Sequence, residues 1–198
     1  MTHGRTRRSA RRLWLALACA LCVALPLLAS ASATAEAQDG GPTDAALLEK
    51  LRYPKTVVLV RHAEKDTDDP RDPSLNEAGV LRSRALARTL EGAGVTHLYA
   101  SEFRRTQQTL EPLSLISGAG VQIISARDPK ATLSAISELP RGAVIVVAGH
   151  SNTVPALVAG LVGTEQAELA ESDYDRLYVV TLWGEKRKAS VLELRYGE

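Results

Sequence analysis

The stretch VVLVRHAEKD, residues 57–66, decides how the rest of the chain is interpreted. Its first four residues are apolar and mostly β-branched, which is typical of a strand buried on both faces of a sheet. Arg61 and His62 follow directly, so the strand ends in a cation and a titratable ring. We therefore expect a buried strand whose carboxyl end holds these two side chains rigidly at the edge of a sheet.

Apolar runs and helical patterns alternate through the chain after this stretch. Strands are predicted at residues 56–60, 97–100, 121–125, 143–148, 177–182 and 189–194. Helices are predicted between a cap at Asn76 and a stop at Gly92, and over residues 104–116, 133–139 and 153–162. This alternation predicts an α/β fold with three layers, in which a largely parallel central sheet is covered by helices on both faces.

The first 37 residues have the three parts of a secretory signal peptide. A head with five arginines precedes an apolar run of 16 residues, 13–28, and then small residues with several A-x-A sites. We therefore predict a signal peptide over residues 1–37, a leader over 38–52 and an exported, periplasmic or extracellular, domain over 53–198. An uncleaved membrane anchor is the alternative, although a span needs about 20 residues. The pair Arg11-Arg12 would also suit the twin-arginine route.

Cleavage at this position would change the charge and the cysteine content. Losing five arginines and one glutamate from 24 basic and 23 acidic residues leaves 19 and 22, a net charge of −3. A domain without a basic excess is not expected to bind nucleic acid or to stay inserted in a membrane. Cys19 and Cys22 would leave with the peptide. The exported domain would then have no disulfide, thiolate metal site or cysteine nucleophile.

Three predicted strands deliver polar residues to one edge of the sheet. In open α/β sheets, ligands bind beyond the carboxyl ends of the strands. Arg61-His62 follows VVLV, Ser101–Arg105 follows HLYA, and His150-Ser151-Asn152 follows VIVVAG. Arginine forks bind phosphate oxygens, and a histidine kept neutral by nearby arginines can attack phosphorus. The free N–H groups of the helix that follows residue 152 would add to an anion site, so the predicted ligand is a phosphoryl group.

The motifs VRHAEK, SEFRRTQQT and AGHSNTVPAL, together and in this order, resemble the histidine phosphatase superfamily, whose fold is phosphoglycerate mutase-like. The resemblance extends from residue 56 to the final strands and includes the loop DPSLNEAG. It implies a phosphatase without a metal or another cofactor, acting on a phosphorylated small molecule or a phosphoprotein. The sequence also has no clustered carboxylates or H-x-x-x-H set to hold a metal ion.

The resemblance assigns a role to each matching residue. His62 matches the nucleophile that becomes phosphohistidine, and Arg61 matches the phosphate ligand before it. Arg105 matches the family's second arginine, although the adjacent Arg104 leaves that assignment open between the two. His150 matches the second histidine, which stabilises charge on the transferring oxygens, and Ser151 and Asn152 complete the predicted phosphate-binding set.

The chain departs from the family pattern in two places. Ala63 stands where the R-H-G motif has glycine. The long segment that carries an acidic general acid in larger members is replaced by the short SARDPKATL. Asp128 and then Glu64 are the candidate general acids, although Asp128 also suits a loop cap before a proline. In this brevity the chain resembles the short phosphohistidine phosphatases of the family.

Two other functions stay open beside the phosphatase. A phosphomutase must enclose its phosphorylated intermediate, and the short segments around the predicted site argue against one. A catalytically weak phosphate-binding protein is the other alternative, because the general acid is not assigned. The four aspartates between residues 66 and 72 could suggest calcium, but they lack the glycine and final glutamate of an EF-hand loop, so a solvated acidic loop is the better interpretation.

Overall fold

The computed structural model describes residues 53–184 and 188–197. The predicted signal peptide and leader lie outside these residues, so both stay predictions. In chain order the elements are β1 Lys55–Arg61, α1 Glu77–Leu90, β2 His97–Ala100, α2 Arg104–Ser117, β3 Val121–Ile123, α3 Pro129–Glu138, β4 Val144–Gly149, α4 Thr153–Val162, β5 Arg176–Trp183 and β6 Lys188–Arg195. None of the helices in these ranges is long and apolar enough to cross a membrane.

The predicted α/β class is confirmed. The six strands form one mixed sheet in the order β3-β2-β4-β1-β5-β6. The first four strands of the chain run parallel to one another, whereas β5 runs antiparallel to β1 and β6 antiparallel to β5. The last two strands are close in sequence, so they pair as a hairpin without a crossover helix.

Local signals in the sequence set most helix ends. Asn76 caps α1, because its side chain accepts a hydrogen bond from the backbone N–H of Gly79 at 2.9 Å. Helix α3 begins four residues before its predicted start, since Asp128 caps it and Pro129 suits the first helical turn. Helices α2 and α4 both end at a glycine in the left-handed region, Gly118 at φ 73° and Gly163 at φ 79°.

The core has two halves because successive strand residues face opposite sides of the sheet. One half packs strand side chains against α1 and α2, and its members include Val58, Val60, Leu86 and Leu110. The other half packs the alternate strand positions against α3 and α4, and its members include Val57, Leu59, Ile136, Val154 and Leu157. The sheet is therefore covered on both faces, as the sequence predicts.

The strand order opens a crevice between the carboxyl ends of β1 and β4. These neighbours are parallel, yet the helices that follow them, α1 and α4, pack on opposite faces of the sheet. Chain connections that diverge in this way leave a crevice at the strand ends, which is where open α/β sheets bind ligands. The predicted site residues follow directly from these two strands.

Candidate active site

The register of β1 and β4 brings two histidines together. Arg61 pairs with Gly149, and the next backbone N–H, that of His62, donates to the Gly149 carbonyl at 2.9 Å. The residues after this pair are His62 and His150, and their ring centroids lie 5.4 Å apart at an interplanar angle of 62°. Residues 88 positions apart in sequence thus meet because the strands fix their relative height.

The ring of His62 presents one nitrogen that is free to attack. Its Nδ1 lies 2.8 Å from the Ala63 carbonyl oxygen, which can only accept, so Nδ1 carries the hydrogen and Nε2 the lone pair. Burial lowers the pKa of His62 to about 3, against the opposing effect of the hydrogen bond to Ala63. Nearby Arg105, His150 and Arg61 lower it further. The arginines therefore act as predicted, but burial is the larger cause.

Two helices clamp the turn that follows His62. The Ala63 N–H donates to the Thr109 hydroxyl at 2.9 Å, and that hydroxyl donates to the Arg105 carbonyl in the first turns of α2. On the side of α1, Gly79 lies so close to the Glu64 carbonyl that a β-carbon on it would be 2.2 Å away. Ala63, which replaces the family's glycine, is completely buried in this turn.

Arg61 is buried and is held by the segment before β5. Its Nη1 donates to the carbonyls of Ala170 at 2.8 Å and Glu171 at 2.9 Å, and its Nη2 binds the Glu171 carboxylate at 3.0 Å. The guanidinium also lies over the Tyr174 ring, 4.2 Å from its centroid. Only 2% of the side chain is exposed, so these contacts fix its orientation at the base of the crevice.

The structure separates the two adjacent arginines of α2. Arg105 is 15% exposed, lines the crevice and has its guanidinium 4.3 Å from the Phe103 ring centroid. Arg104 is 47% exposed and binds the Asp68 carboxylate at 2.9 Å and the Asp72 carbonyl at 3.0 Å. Arg104 is absent from the residues that line the crevice, so the geometry favours Arg105 as the second phosphate ligand.

Arg61 and Arg105 each have a buried N–H donor without an acceptor among the described residues. In each case the donor is the Nε–H group. Buried polar groups are nearly always paired, and an unpaired one costs about 1–3 kcal/mol. An oxyanion placed between the two guanidinium groups would supply acceptors to both, which is what a phosphate site requires.

A chain of hydroxyls orients His150. Its Nε2 lies 3.0 Å from the Ser101 hydroxyl, which lies 2.9 Å from the Thr106 hydroxyl. The hydrogen of Thr106 points to the carbonyls of Ser101 or Phe103, so Thr106 accepts from Ser101. Ser101 has then used its single hydrogen and accepts from His150. The hydroxyl pair therefore selects the tautomer of His150 that carries its hydrogen on Nε2.

The second histidine is also held neutral. Burial, followed by the charge of Arg105, lowers the pKa of His150 to about 4. The Glu102 carboxylate opposes this shift in the pKa of His150. Glu102 itself is kept ionised mainly by a hydrogen bond from the Ala126 N–H at 2.8 Å, which lowers the pKa of Glu102. Near neutral pH both histidines are therefore uncharged, and the arginines supply the positive charge of the crevice.

The residues after His150 complete the base of the crevice. The His150 N–H donates to the Thr153 hydroxyl at 2.8 Å, which closes the turn into α4. Ser151 and Asn152 both line the crevice, and the Asn152 side chain makes no capping hydrogen bond to the helix. The Ser151 carbonyl accepts from the Leu169 N–H at 3.0 Å, which ties this turn to the segment that holds Arg61.

The crevice is an open cleft with a volume of about 350 Å³. Its lining contains the predicted nucleophile His62 and every residue of the predicted phosphate-binding set, namely Arg61, Arg105, His150, Ser151 and Asn152. The structure thus brings together residues that the sequence places in three separate motifs. In the ranges described, no group of three or more His, Cys, Asp and Glu side chains is arranged to hold a metal ion.

Part of the described chain matches a protein-family model. The model of the histidine phosphatase superfamily (branch 1) matches residues 57–128, which run from β1 to the cap of α3 and include His62 and Arg105. Over these residues the chain is similar to the histidine phosphatase superfamily. No curated protein sequence gives a significant match to the chain.

Solved structures are similar to this chain at the level of the fold. The protein histidine phosphatase SixA, solved with tungstate, superposes with a TM-score of 0.57 at 22% identity, covering 71% of this chain and 96% of its own. A mycobacterial glucosyl-3-phosphoglycerate phosphatase, Rv2419c, also gives a TM-score of 0.57, at 13% identity, covering 72% of this chain and 98% of its own. At these identities the likeness shows the phosphoglycerate mutase-like fold alone.

The two candidate general acids, Glu64 and Asp128, lie outside the cleft. Glu64 forms a two-pronged ion pair with Arg82, with contacts of 2.7 to 3.0 Å, and points towards α1. Asp128 caps α3 by accepting from the Ala131 N–H at 2.9 Å. Neither side chain lines the cleft. The loop-cap interpretation of Asp128 agrees with this placement.

Sequence reasoning missed several residues of the cleft. Lys65, Phe103, Arg127 and Glu171 line it, and the Tyr174 ring lies 6.0 Å from the ring of His62. Lys65 and Phe103 stand inside the family motifs, so their position along the chain could have indicated them. Glu171 and Tyr174 lie in a polar segment before β5 that has no periodicity or motif, and only the fold brings them to the cleft.

Proposed function

We propose that the protein is a metal-independent phosphatase that hydrolyses a phosphomonoester or a phosphoramidate through a phosphohistidine on His62. One observation carries the proposal. A neutral histidine with its lone pair on Nε2 lies beside Arg61 and Arg105, whose buried Nε–H donors find no acceptor among the described residues. An attacking nucleophile and an unsatisfied oxyanion site in one cleft are what phosphoryl transfer needs.

The reaction follows from this geometry in two displacements. In the first, Nε2 of His62 bonds to phosphorus while the bond from phosphorus to the leaving oxygen or nitrogen breaks, and the leaving group takes a proton. In the second, water attacks phosphorus, the phosphorus–nitrogen bond breaks, and inorganic phosphate leaves with His62 restored. Arg61 and Arg105 bind the equatorial oxygens in both steps, and the buried strand end holds nucleophile and ligand in line.

The placement of the acidic residues supports a particular class of leaving group. Among the described residues that line the cleft, Glu171 alone carries a carboxylate, and it is paired with Arg61 and Lys65. A leaving group that departs without a strong general acid is therefore favoured, such as an aryl oxide or the imidazole of a phosphohistidine. A protein histidine phosphatase is among the structural neighbours, which agrees with the second of these.

The first experiment is hydrolysis of an aryl phosphate by the purified protein in EDTA. We expect activity to survive the chelator and to disappear in His62→Ala. His97→Ala is the matched control, because His97 begins β2 at the opposite end of the strand from Ser101 and its side chain hydrogen-bonds the neighbouring Thr96. Loss of activity in EDTA, or equal activity in the wild type and His62→Ala, would refute the proposed route.

A phosphate-binding protein with weak catalysis is the second candidate. The engagement of Glu64 and Asp128 outside the cleft favours it, since no free carboxyl group reaches the substrate. Reactions with a ³²P-labelled ester that are quenched in alkaline detergent, which preserves the phosphorus–nitrogen bond, separate the two candidates. A phosphatase gives labelled phosphoprotein that decays to phosphate and is absent in His62→Ala, whereas a binding protein retains phosphate by calorimetry and forms no label.

From the predicted signal peptide we infer that the proposed phosphatase acts outside the cytoplasm. Envelope or environmental phosphate esters are then the accessible substrates. Fractionation of cells that express the full chain tests this: the mature protein should appear in the periplasm or the medium, shortened near residue 37. Recovery of the full-length chain in the cytoplasm would contradict export.

A further inference from the structure

The carboxylate of Glu171 occupies a particular place on the rim of the cleft. Its Oε2 lies 3.0 Å from Nη2 of Arg61, and its Oε1 lies 3.1 Å from Nζ of Lys65. It thus bridges a buried phosphate ligand and an exposed lysine. Both cations lower the pKa of Glu171, with the hydrogen bond from Lys65 as the first cause, so the carboxylate is ionised at neutral pH.

The backbone around Glu171 is anchored although its side chain is 70% exposed. Leu169 is buried in the half of the core under α4, and its N–H donates to Ser151 at the base of the cleft. The carbonyls of Ala170 and Glu171 both accept from Arg61. The position of the carboxylate is therefore set by the cleft itself rather than by a free loop.

The charges of the cleft explain what this carboxylate can do. Four cations line it, namely Arg61, Lys65, Arg105 and Arg127. Arg61 and Arg105 suffice for a phosphate dianion, so Lys65 and Arg127 on the rim would attract a second anionic group on the same substrate. Glu171 binds Lys65 and adds a negative charge at that place. Beside Lys65, the rim therefore offers a second anion little attraction.

We propose that Glu171 is a specificity-determining residue that selects against substrates with a second negative charge next to the phosphoryl group. Phosphomonoesters or phosphoramidates with a neutral or cationic leaving group are then the preferred class, over bisphosphates and phosphorylated carboxylates. This inference rests on the proposed phosphatase function, because it concerns the part of the substrate that leaves.

The test uses two aryl phosphates of nearly equal size and leaving ability, 4-carbamoylphenyl phosphate and 4-carboxyphenyl phosphate, which differ by one charge. We expect the wild type to have the higher kcat/KM for the carbamoyl ester. Glu171→Gln keeps a hydrogen-bond acceptor for Arg61 and removes the charge, and it should raise the relative kcat/KM of the carboxy ester about fivefold. This is the size expected for unit charges several ångströms apart near a surface.

Two further variants test whether the change in preference comes from the charge of Glu171. Lys65→Met should shift the preference in the opposite direction, and Glu168→Gln is the control. Lys65→Met leaves the Glu171 charge without its exposed partner, so the preference should move the other way, further from the carboxy ester. Glu168 is exposed in the same segment and does not line the cleft, so Glu168→Gln should leave the preference unchanged. The effect of Glu171→Gln should also shrink as salt is raised, because the rim is solvated.

Two results would overturn the inference. Equal changes for both esters in Glu171→Gln would mean that the residue only supports Arg61. A shift of Lys65→Met and Glu171→Gln in the same direction would exclude a charge effect. If none of the proteins turns over either ester, the phosphatase proposal fails. The preference between the two esters is then measured by calorimetry as the ratio of their dissociation constants. If Glu171→Gln leaves that ratio unchanged, the selection by Glu171 is refuted.

Discussion

The base of the cleft and its rim are built in different ways. At the base, Arg61 and His62 end β1, His150 follows β4, and pairing of the strands sets their relative positions. On the rim, Lys65, Arg127 and Glu171 stand on loops and are exposed. The base therefore depends on the buried sheet, whereas the rim depends on charges that water and salt can screen. We therefore expect the base to carry the proposed chemistry and the rim to influence which substrates enter.

The largest difference is expected between the two adjacent arginines of α2. Arg105→Ala removes a donor from the base of the cleft and should lower kcat/KM for an aryl phosphate about 10²–10³-fold, as loss of an oxyanion ligand does. Arg104→Ala removes only exposed contacts with Asp68 and Asp72, and it should change kcat/KM less than about threefold. Steady-state kinetics of the two variants measure this directly.

Two results would contradict the role of Arg105 as the second phosphate ligand. If Arg104→Ala is the more damaged variant, the second phosphate ligand has been assigned to the wrong residue. Equal and small losses would indicate that the cleft binds phosphate through Arg61 and the histidines alone. Far-ultraviolet circular dichroism of both variants checks that neither has unfolded.

A methyl group added at Gly79, where α1 packs against the turn after His62, should destabilise the protein more than one added at Gly92, beyond the end of α1. A β-carbon at Gly79 would lie 2.2 Å from the Glu64 carbonyl, and backbone cannot move aside cheaply. We expect Gly79→Ala to lower the free energy of unfolding by about 2–3 kcal/mol and to reduce activity, since the turn after His62 must shift. At Gly92 nothing lies within 4 Å of such an atom, so Gly92→Ala should be neutral.

Thermal and urea unfolding of the two glycine variants give the measurement. An unchanged midpoint in Gly79→Ala would mean that α1 does not clamp the turn. Full activity in a destabilised Gly79→Ala would separate the packing of α1 from the placement of His62. Gly92→Ala controls for the general effect of a methyl group in or near the helix.

The same contrast explains what could be predicted from the sequence. Strand β2 and helix α4 have the predicted bounds, and the base of the cleft was predicted, because buried strands and motif residues leave local patterns. The roles of Glu64 and Glu171 were not foreseen. Glu64 is neutralised by Arg82, 18 positions away, and Glu171 reaches Arg61 across 110 positions. Such pairings depend on how loops pack in three dimensions, and nothing periodic in the sequence marks them.

Acid should lower the free energy of unfolding through the buried histidine at the base of the cleft. Burial lowers the pKa of His62 to about 3 from a reference value of 6.5, so below pH 6.5 the unfolded chain binds a proton that the folded chain does not. Stability that is complete above pH 6.5 is therefore lost as pH falls towards 3. At pH 5, which is 1.5 units below the reference value, proton binding by His62 in the unfolded chain should lower the free energy of unfolding by about 2 kcal/mol. His150 acts in the same direction.

Unfolding free energies at pH 7 and pH 5 for the wild type and His62→Asn isolate this contribution. The asparagine does not titrate, so the variant should lose less stability between the two pH values than the wild type does. Carboxylates elsewhere titrate equally in both proteins and cancel in the difference. Parallel pH profiles would show that His62 is not held neutral by the fold.

The smallest effect is expected on the rim. Arg127 is exposed and lines the cleft, so Arg127→Ala should raise KM for an aryl phosphate only about two- to threefold and leave kcat unchanged. Measurement in low salt and in about 0.5 M salt makes the result decisive, because screening should abolish the effect of Arg127 and leave most of the Arg105 effect. A loss in Arg127→Ala that is large and independent of salt would place this arginine at the base of the cleft, in contact with the phosphate. Salt sensitivity, rather than size alone, therefore tells a residue that guides the substrate from one that acts on the reacting group.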